Sequence, residues 1–401
     1  MSAVSRNYIR TLVSCTGCWF LAQMSYYGQT QLFGPMMARY ERGEIDVGIL
    51  FTQELTVFAL TSLIVAGPLS RVSRVKAAVT GALLLIAVNL ISAQTDNFEV
   101  VRVTRMLAGF AGGLLSASGT ASAASSNNPQ RVFAIIGLSW GLIAAIQLAV
   151  LPYLTVPYGT EGGYYGMAAA TALILPLLLW LNPPRDFERL HESEVLKLNL
   201  SFWGRITERL GVRDAPNARF AIVVMVGLFI YEIGQGATQV FLEQYGLRTG
   251  MGEIRIGQIL AIAATLGLSG GALAAWMGGR YGNLKPVVAG VAFNSIFACT
   301  LALGTLPFLF AVSYLGWNMA YYFLVPFMLG ILAQMDDKGR WAVAADAVWW
   351  LGAAPGAAVA GFLVEKGGYP ALASLAPITG LIAIFILIRT ISRFNAAQAP
   401  N

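Results

Sequence analysis

The chain is built from long apolar blocks joined by short polar turns. Blocks such as KAAVTGALLLIAVNLIS (76–92) and ALASLAPITGLIAIFILI (371–388) hold close to twenty residues. That is the length a helix needs to cross roughly 30 Å of hydrocarbon at ~1.5 Å per residue. Twelve spans are predicted, centred near residues 23, 58, 84, 110, 143, 172, 231, 267, 295, 321, 352 and 380. Boundaries are least sharp where Gly and Pro interrupt, at Gly34-Pro35 and from Leu151 to Pro157. One long polar segment beginning at Asn182 follows the sixth span, which predicts a first bundle over 1–181, a linker over 182–218 and a second bundle over 219–401. Within the linker, FWGRITERLG has an amphipathic pattern suited to the membrane surface.

The two halves resemble each other. TQLF at Thr30–Phe33 recurs as TQVF at Thr238–Phe241, and GEIDVG at Gly43–Gly48 recurs as GEIRIG at Gly252–Gly257. In the register of the second pair Arg71 falls on Arg280, Lys76 on Lys285 and Gly81 on Gly290. Parallel six-helix repeats with a site near the midplane are a secondary-transporter architecture. The fold class expected is therefore an all-α polytopic membrane protein, with twelve transmembrane helices in two pseudo-symmetric six-helix bundles.

Composition agrees with this reading and removes competitors. Of 401 residues, 57 % are hydrophobic and 11 % charged, against roughly 25 % charged in a soluble domain. The net charge of +6 does not imply nucleic acid, because the basic residues sit at helix ends rather than on a solvated face. Counted by side, nineteen Lys and Arg fall with the termini and the linker, and five (Arg39, Arg42, Arg248, Arg255 and Lys366) fall opposite. Both termini are thus expected in the cytoplasm, in a bacterial inner membrane. Met1–Arg10 is too polar and short for a signal peptide, so the first span is expected to stay. Cys15, Cys18 and Cys299 lie in apolar spans without a second pair or a nearby His, and read as small buried side chains rather than metal ligands.

Two stretches near helix ends, GPLSRVSRVK (Gly67–Lys76) and GGRYGNLK (Gly278–Lys285), and a third in the fourth span, RMLAGFAGG (Arg105–Gly113), resemble motifs of the major facilitator superfamily. The resemblance covers essentially the whole chain and implies alternating access by two rocking bundles. Its cytoplasmic D-R-x-G-R signature aligns with Ser70–Arg74, so Ser70, and Gly279 in the repeat, stand where the family carries an aspartate of its cytoplasmic gate. By this resemblance Arg71, Arg74 and Arg280, with Lys338 and Arg340 before the eleventh span, are candidate gating charges. The same resemblance links Arg105 to substrate or proton coupling. The G-P pair of drug antiporters is missing from AIIGLSWGLIAAIQLAVLPYL (134–154).

Charges inside spans are functional candidates, because hydrocarbon penalises them by several kcal/mol unless they are paired or face water. Arg102 and Arg105 lie roughly 6 and 10 Å below the outer boundary at ~1.5 Å per residue, three apart on one face. Glu54 in the second span is at a similar depth. Guanidinium forks suit carboxylates, so an anionic substrate is one reading. The other is that Arg102 reaches the interface and Arg105 is stapled to Glu54. Glu232, mid-span in the seventh helix, can carry a proton or be a structural acid. Asp346 suits coupling or a gate pair with Lys338 or Arg340, and Glu243 reads as interfacial.

Polar and aromatic residues concentrate in the spans that line the cavity of the resembled family: Tyr26, Tyr27, Gln29 and Gln31; Gln147; Tyr231, Gln235 and Gln239; Tyr314, Trp317, Asn318, Tyr321 and Tyr322; Trp349 and Trp350. Of these Tyr26, Gln29, Gln147, Tyr231, Gln235, Gln239, Trp317, Asn318 and Tyr321 are, with Arg105 and Arg102, the candidate substrate contacts. The alternative for about half of them is a membrane-interface belt.

No catalytic constellation competes. His191 is a linker residue, no Walker loop is present, and GGRYGN and AGFAGG lack a strand–turn–helix context. The expected function is proton-coupled symport of a small organic anion with an apolar or aromatic body, by a monomer that uses no cofactor or metal and meets only solute, protons and lipid. Proton-driven efflux of amphipathic compounds, and a non-transporting receptor, are the alternatives.

Overall fold

The computed structural model describes residues 3–65, 68–70, 72–126, 128–184, 201–210, 212–213, 215–282, 284–336 and 340–398. Among them no strand occurs. The helices are α1 Ala3–Tyr40, α2 Glu44–Val65, α3 Arg74–Gln94, α4 Phe98–Ala124, α5 Pro129–Val150 and α6 Pro152–Ile174, then α7 Ala218–Val240, α8 Glu253–Gly267, α9 Leu284–Leu303 and α10 Pro307–Ala333. The last helical stretch, Arg340–Gln398, turns at Gly368 (φ 67°), a left-handed conformation that a side chain disfavours. It thus comprises α11 (340–367) and α12 (369–398). Three helices run on past a break, α6 into Leu175–Trp180, α7 into Leu242–Leu247 and α8 into Ser269–Met277.

Ten stretches among the described residues are long and apolar enough to cross a membrane, one of them holding both α11 and α12. Polar Gln23, Gln29 and Gln31 dilute α1, which at 38 residues is long enough to span and brings the set to twelve. Gly34-Pro35 does not interrupt it.

Helix starts are written locally. Asn97 caps α4, its side-chain oxygen accepting from the Glu99 and Val100 amides at 2.9 and 3.4 Å. Ser73 caps α3 and Asn128 caps α5, the latter followed by Pro129 in the first turn, where no amide is needed. On α4 Val103, Met106, Leu107 and Phe110 are exposed, whereas Arg105, Ala108, Gly109 and Gly112 are buried. The apolar side faces outward and the polar side inward, as hydrocarbon surroundings require.

The chain divides into two compact units, one of Met1–Arg42 with Gln53–Arg209 and one of Gly43–Thr52 with Leu210–Asn401. In the first, a Cβ at Gly109 would overlap the Glu54 carbonyl oxygen, so α4 and α2 cross in direct backbone contact. In the second, a Cβ at Gly236 would overlap the Ala353 carbonyl oxygen, and α7 meets α11 in the same way. Also in the second, Thr52 Oγ1 donates to the Ala354 carbonyl at 2.8 Å and accepts from the Ala358 amide at 3.1 Å.

Of the linker, FWGRITERLG forms the short helix Phe202–Arg209 with Ile206 buried. His191 lies outside the described residues. Glu243, read from the sequence as interfacial, is 1 % exposed in the helix Leu242–Leu247 that follows α7.

Candidate functional site

In the first unit the polar chemistry converges on Arg105. The residue is 1 % exposed, and its guanidinium meets groups from three other helices. Nη2 donates to Asn89 Oδ1 at 2.8 Å and to Ser92 Oγ at 3.1 Å, both on α3. Ser92 Oγ also shares a 2.6 Å hydrogen bond with Thr104 Oγ1 on α4, which extends the network back to the helix that carries the arginine. The Tyr164 ring of α6 lies 4.5 Å from the guanidinium carbon, a cation–π arrangement. Glu54 of α2 places Oε1 at 3.7 Å from Nη1, within ion-pair distance but too long for a hydrogen bond. Ser25 and Gln29 of α1 border that carboxyl. Glu54 Oε1, Arg105 Nε and Gln29 Nε2 make no hydrogen bond.

Arg102 is not part of this cluster. It bonds Glu99 one turn back at 2.9 Å, lies over the Phe98 ring and is partly exposed. The two arginines share a helix but serve different surroundings. One ionisable acid and one arginine therefore remain buried together, with neutral acceptors on the side of the guanidinium away from Glu54.

Elsewhere in the unit, Gln147 Nε2 of α5 donates to the Met24 carbonyl at 2.6 Å and Gln31 Nε2 of α1 donates to the Leu148 carbonyl at 2.7 Å. These reciprocal bonds tie α1 to α5, with the two amide oxygens unpartnered. Tyr26 meets Tyr27 edge-on at 5.4 Å.

The second unit holds a neutral amide relay and an aromatic wall. Gln235 Nε2 of α7 donates to Asn294 Oδ1 at 2.7 Å, and Asn294 Nδ2 donates to the Trp317 carbonyl at 3.0 Å. Tyr314, Trp317 and Tyr321 stack along α10 at centroid spacings of 6.0 and 6.2 Å. Trp349 of α11 closes the wall edge-on and donates Nε1 to the Tyr321 hydroxyl at 2.6 Å. Asn318 Nδ2 donates to the Tyr314 hydroxyl. Glu232 and Tyr231 are 1 % exposed, and Glu232 Oε1 and the Tyr231 hydroxyl make no hydrogen bond. A Cβ at Gly352 would overlap that of Glu232, which places Glu232 at the α7–α11 crossing. Gln239 is buried and Asp346 is exposed on α11.

Among the gating candidates, Arg74 is buried at the start of α3, where Nη1 donates to Ser125 Oγ and to the Asn182 and Pro183 carbonyls. Arg280 is exposed beside Trp276. Arg71 and Lys338 lie outside the described residues, as does the Arg340 side chain. Residues absent from the sequence reading are Asn89, Ser92, Tyr164 and Asn294. The available signal was an amide in an apolar run, NLIS at Asn89–Ser92 and FNSI at 293–296, with Asn89 and Ser92 three apart on one face of α3.

The profile of the Major Facilitator Superfamily matches residues 19–340. No curated protein matches the chain. Among solved structures, a POT family transporter in complex with a thioalcohol-conjugated peptide is similar at TM-score 0.70 and 17 % identity, over 96 % of each chain. The nucleoside transporter NupG gives TM-score 0.71 and 16 % identity over 96 % of this chain and 98 % of its own. The human organic anion transporter MFSD10 (TETRAN) gives 0.65 and 14 % over 96 % and 100 %. At these identities the likeness is one of fold.

Proposed function

Because the chain belongs to the Major Facilitator Superfamily, we propose that it is a secondary active transporter that carries a small organic anion together with a proton by alternating access. The observation that carries this reading is the buried Arg105–Glu54 pair, in which one acid balances one guanidinium at 3.7 Å. A proton taken up by Glu54 leaves the guanidinium with an uncompensated charge in a low-dielectric surrounding, which is costly by several kcal/mol. A carboxylate substrate removes that cost. Proton and anion then stabilise each other's binding, and only the doubly loaded and the empty carrier are free of buried net charge.

The remaining candidates take their roles from their own chemistry, each within its unit. The neutral amides Gln29, Gln147, Gln235 and Gln239 supply orientation, and Trp317, Asn318 and Tyr321 suit an apolar or aromatic body. Glu232, without a basic neighbour among the described residues, is a second proton carrier, and Asp346 a third acid near the helix end. Arg102, paired with Glu99, serves as an entrance charge. The reading places both termini in the cytoplasm of a bacterial inner membrane.

The stacked wall of Tyr314, Trp317, Tyr321 and Trp349 favours one further reading, proton-driven efflux of amphipathic compounds with Glu232 as the titrating acid. Proteoliposomes separate the two. An imposed inward proton gradient is expected to accumulate a radiolabelled aromatic carboxylate, and acceleration only under the opposite gradient overturns symport in favour of exchange. Glu54→Gln is expected to abolish gradient-driven accumulation while leaving counterflow. If instead Glu232→Gln does so and Glu54→Gln does not, coupling belongs to α7.

A further inference from the structure

The end of the second unit where α7 begins and α12 finishes holds a groove of about 550 Å³ that the transport reading does not use. Arg219, Arg389 and Arg393 form its rim, and Val223, Phe385 and Ile386 its floor. Arg389 and Arg393 are one turn apart on α12 and present their charges side by side. Arg219 approaches from the first turn of α7. All three are exposed, and none forms an ion pair among the described residues. Two are braced by aromatic rings, Arg219 over Phe220 and Arg389 over Phe385, each at 4.6 Å. Phe220 and Phe394 meet edge-on at 5.5 Å and hold the two helix ends together.

The charge and the shape of this groove ask for one kind of occupant. Three guanidinium groups lining one groove, with no ion-pair partner among the described residues, repel one another, and a phosphate accepts several such donors at once. Below the rim the surface turns apolar and stays exposed, through Val223 and Val226 on α7 and Ile382 and Phe385 on α12. A free phosphate would satisfy the rim and leave this lane bare. A lipid satisfies both, and basic pockets between transmembrane helices at a membrane surface suit acidic headgroups.

In the first unit Arg10 lies over the Trp180 ring at 5.8 Å, away from this groove.

We propose that the α7–α12 groove binds the phosphate headgroup of an anionic phospholipid, whose acyl chains follow the apolar lane between the two helices. The test is native mass spectrometry of the purified full chain in detergent with equal amounts of phosphatidylglycerol and phosphatidylcholine. The wild-type protein is expected to retain phosphatidylglycerol in preference, and Arg219→Gln/Arg389→Gln/Arg393→Gln to lose at least fivefold of that adduct. Lys at the same three positions is expected to keep half of it or more, and Arg10→Gln all of it. Should the triple Gln variant fail to purify, Arg389→Gln/Arg393→Gln reads the same loss. Equal retention in wild type and Gln variant, or no preference over phosphatidylcholine, overturns the proposal. So does displacement of the lipid by millimolar inorganic phosphate with the same thermal shift, which would assign the rim to a soluble anion.

Discussion

Arg105 illustrates how a permanent charge is kept inside an apolar helix. Its guanidinium has neutral acceptors on α3, an aromatic face on α6 and a carboxylate on α2 at a distance that attracts without a hydrogen bond. Lysine at this position keeps the charge but loses the planar fork that reaches Asn89 and Ser92 together. Arg105→Lys is expected to raise the transport KM for an anion by about tenfold, ~1.4 kcal/mol, with Arg102→Lys changing it much less. An unaltered KM in Arg105→Lys, measured in proteoliposomes, would falsify the substrate role and leave a helix staple. The arginine itself was legible from a charge in an apolar run. Its partners were not, since Asn89, Ser92 and Tyr164 come from helices whose relative rotation the sequence does not state.

Helix starts and stops follow local rules, and crossings follow small residues. Gly109 belongs to the second class: a methyl group there would enter the α2 backbone at Glu54. Gly109→Ala is expected to lower stability by about 1–3 kcal/mol through overpacking, and to displace Glu54 relative to Arg105. Gly137 on α5 has nothing within 4 Å of its Cβ position, so Gly137→Ala is expected to be neutral or to gain up to ~1 kcal/mol in helix propensity. Thermal unfolding of the two variants in detergent checks the contrast, and equal midpoints would remove the close crossing. Arg39 shows what contact adds to composition. In the sequence it is one of five basic residues on its side. In the structure it joins α1 to the α3–α4 turn and to α6, with Asp96 at 3.0 Å, Glu161 at 3.4 Å and Thr160 at 3.0 Å.

The orientation proposed for the whole chain rests on counting Lys and Arg, and it is open to direct measurement. In a Cys299→Ser background, where Cys15 and Cys18 are buried, Ser201→Cys at an exposed position of the linker is expected to react with a membrane-impermeant maleimide only after the cells are permeabilised. Asp96→Cys at the α3–α4 turn is expected to react in intact cells. The reverse pattern inverts the orientation and with it the direction assigned to the proton gradient.

Hydrophobic block length, helix caps, the internal repeat and the charge asymmetry are properties of residues near one another in the chain, so the sequence alone determined a twelve-helix membrane fold in two similar halves. It also marked Arg105, Glu54 and Glu232 as costly charges, because hydrocarbon penalises them wherever their neighbours lie. Only the tertiary structure decided which charges meet. It separated Arg102 from Arg105, buried Glu243, set Asn294 against Gln235 and brought Arg219 beside Arg389 and Arg393. The physical reason is that hydrogen bonds and ion pairs act over a few ångströms, and helix rotation and crossing place within that range residues that chain distance keeps far apart.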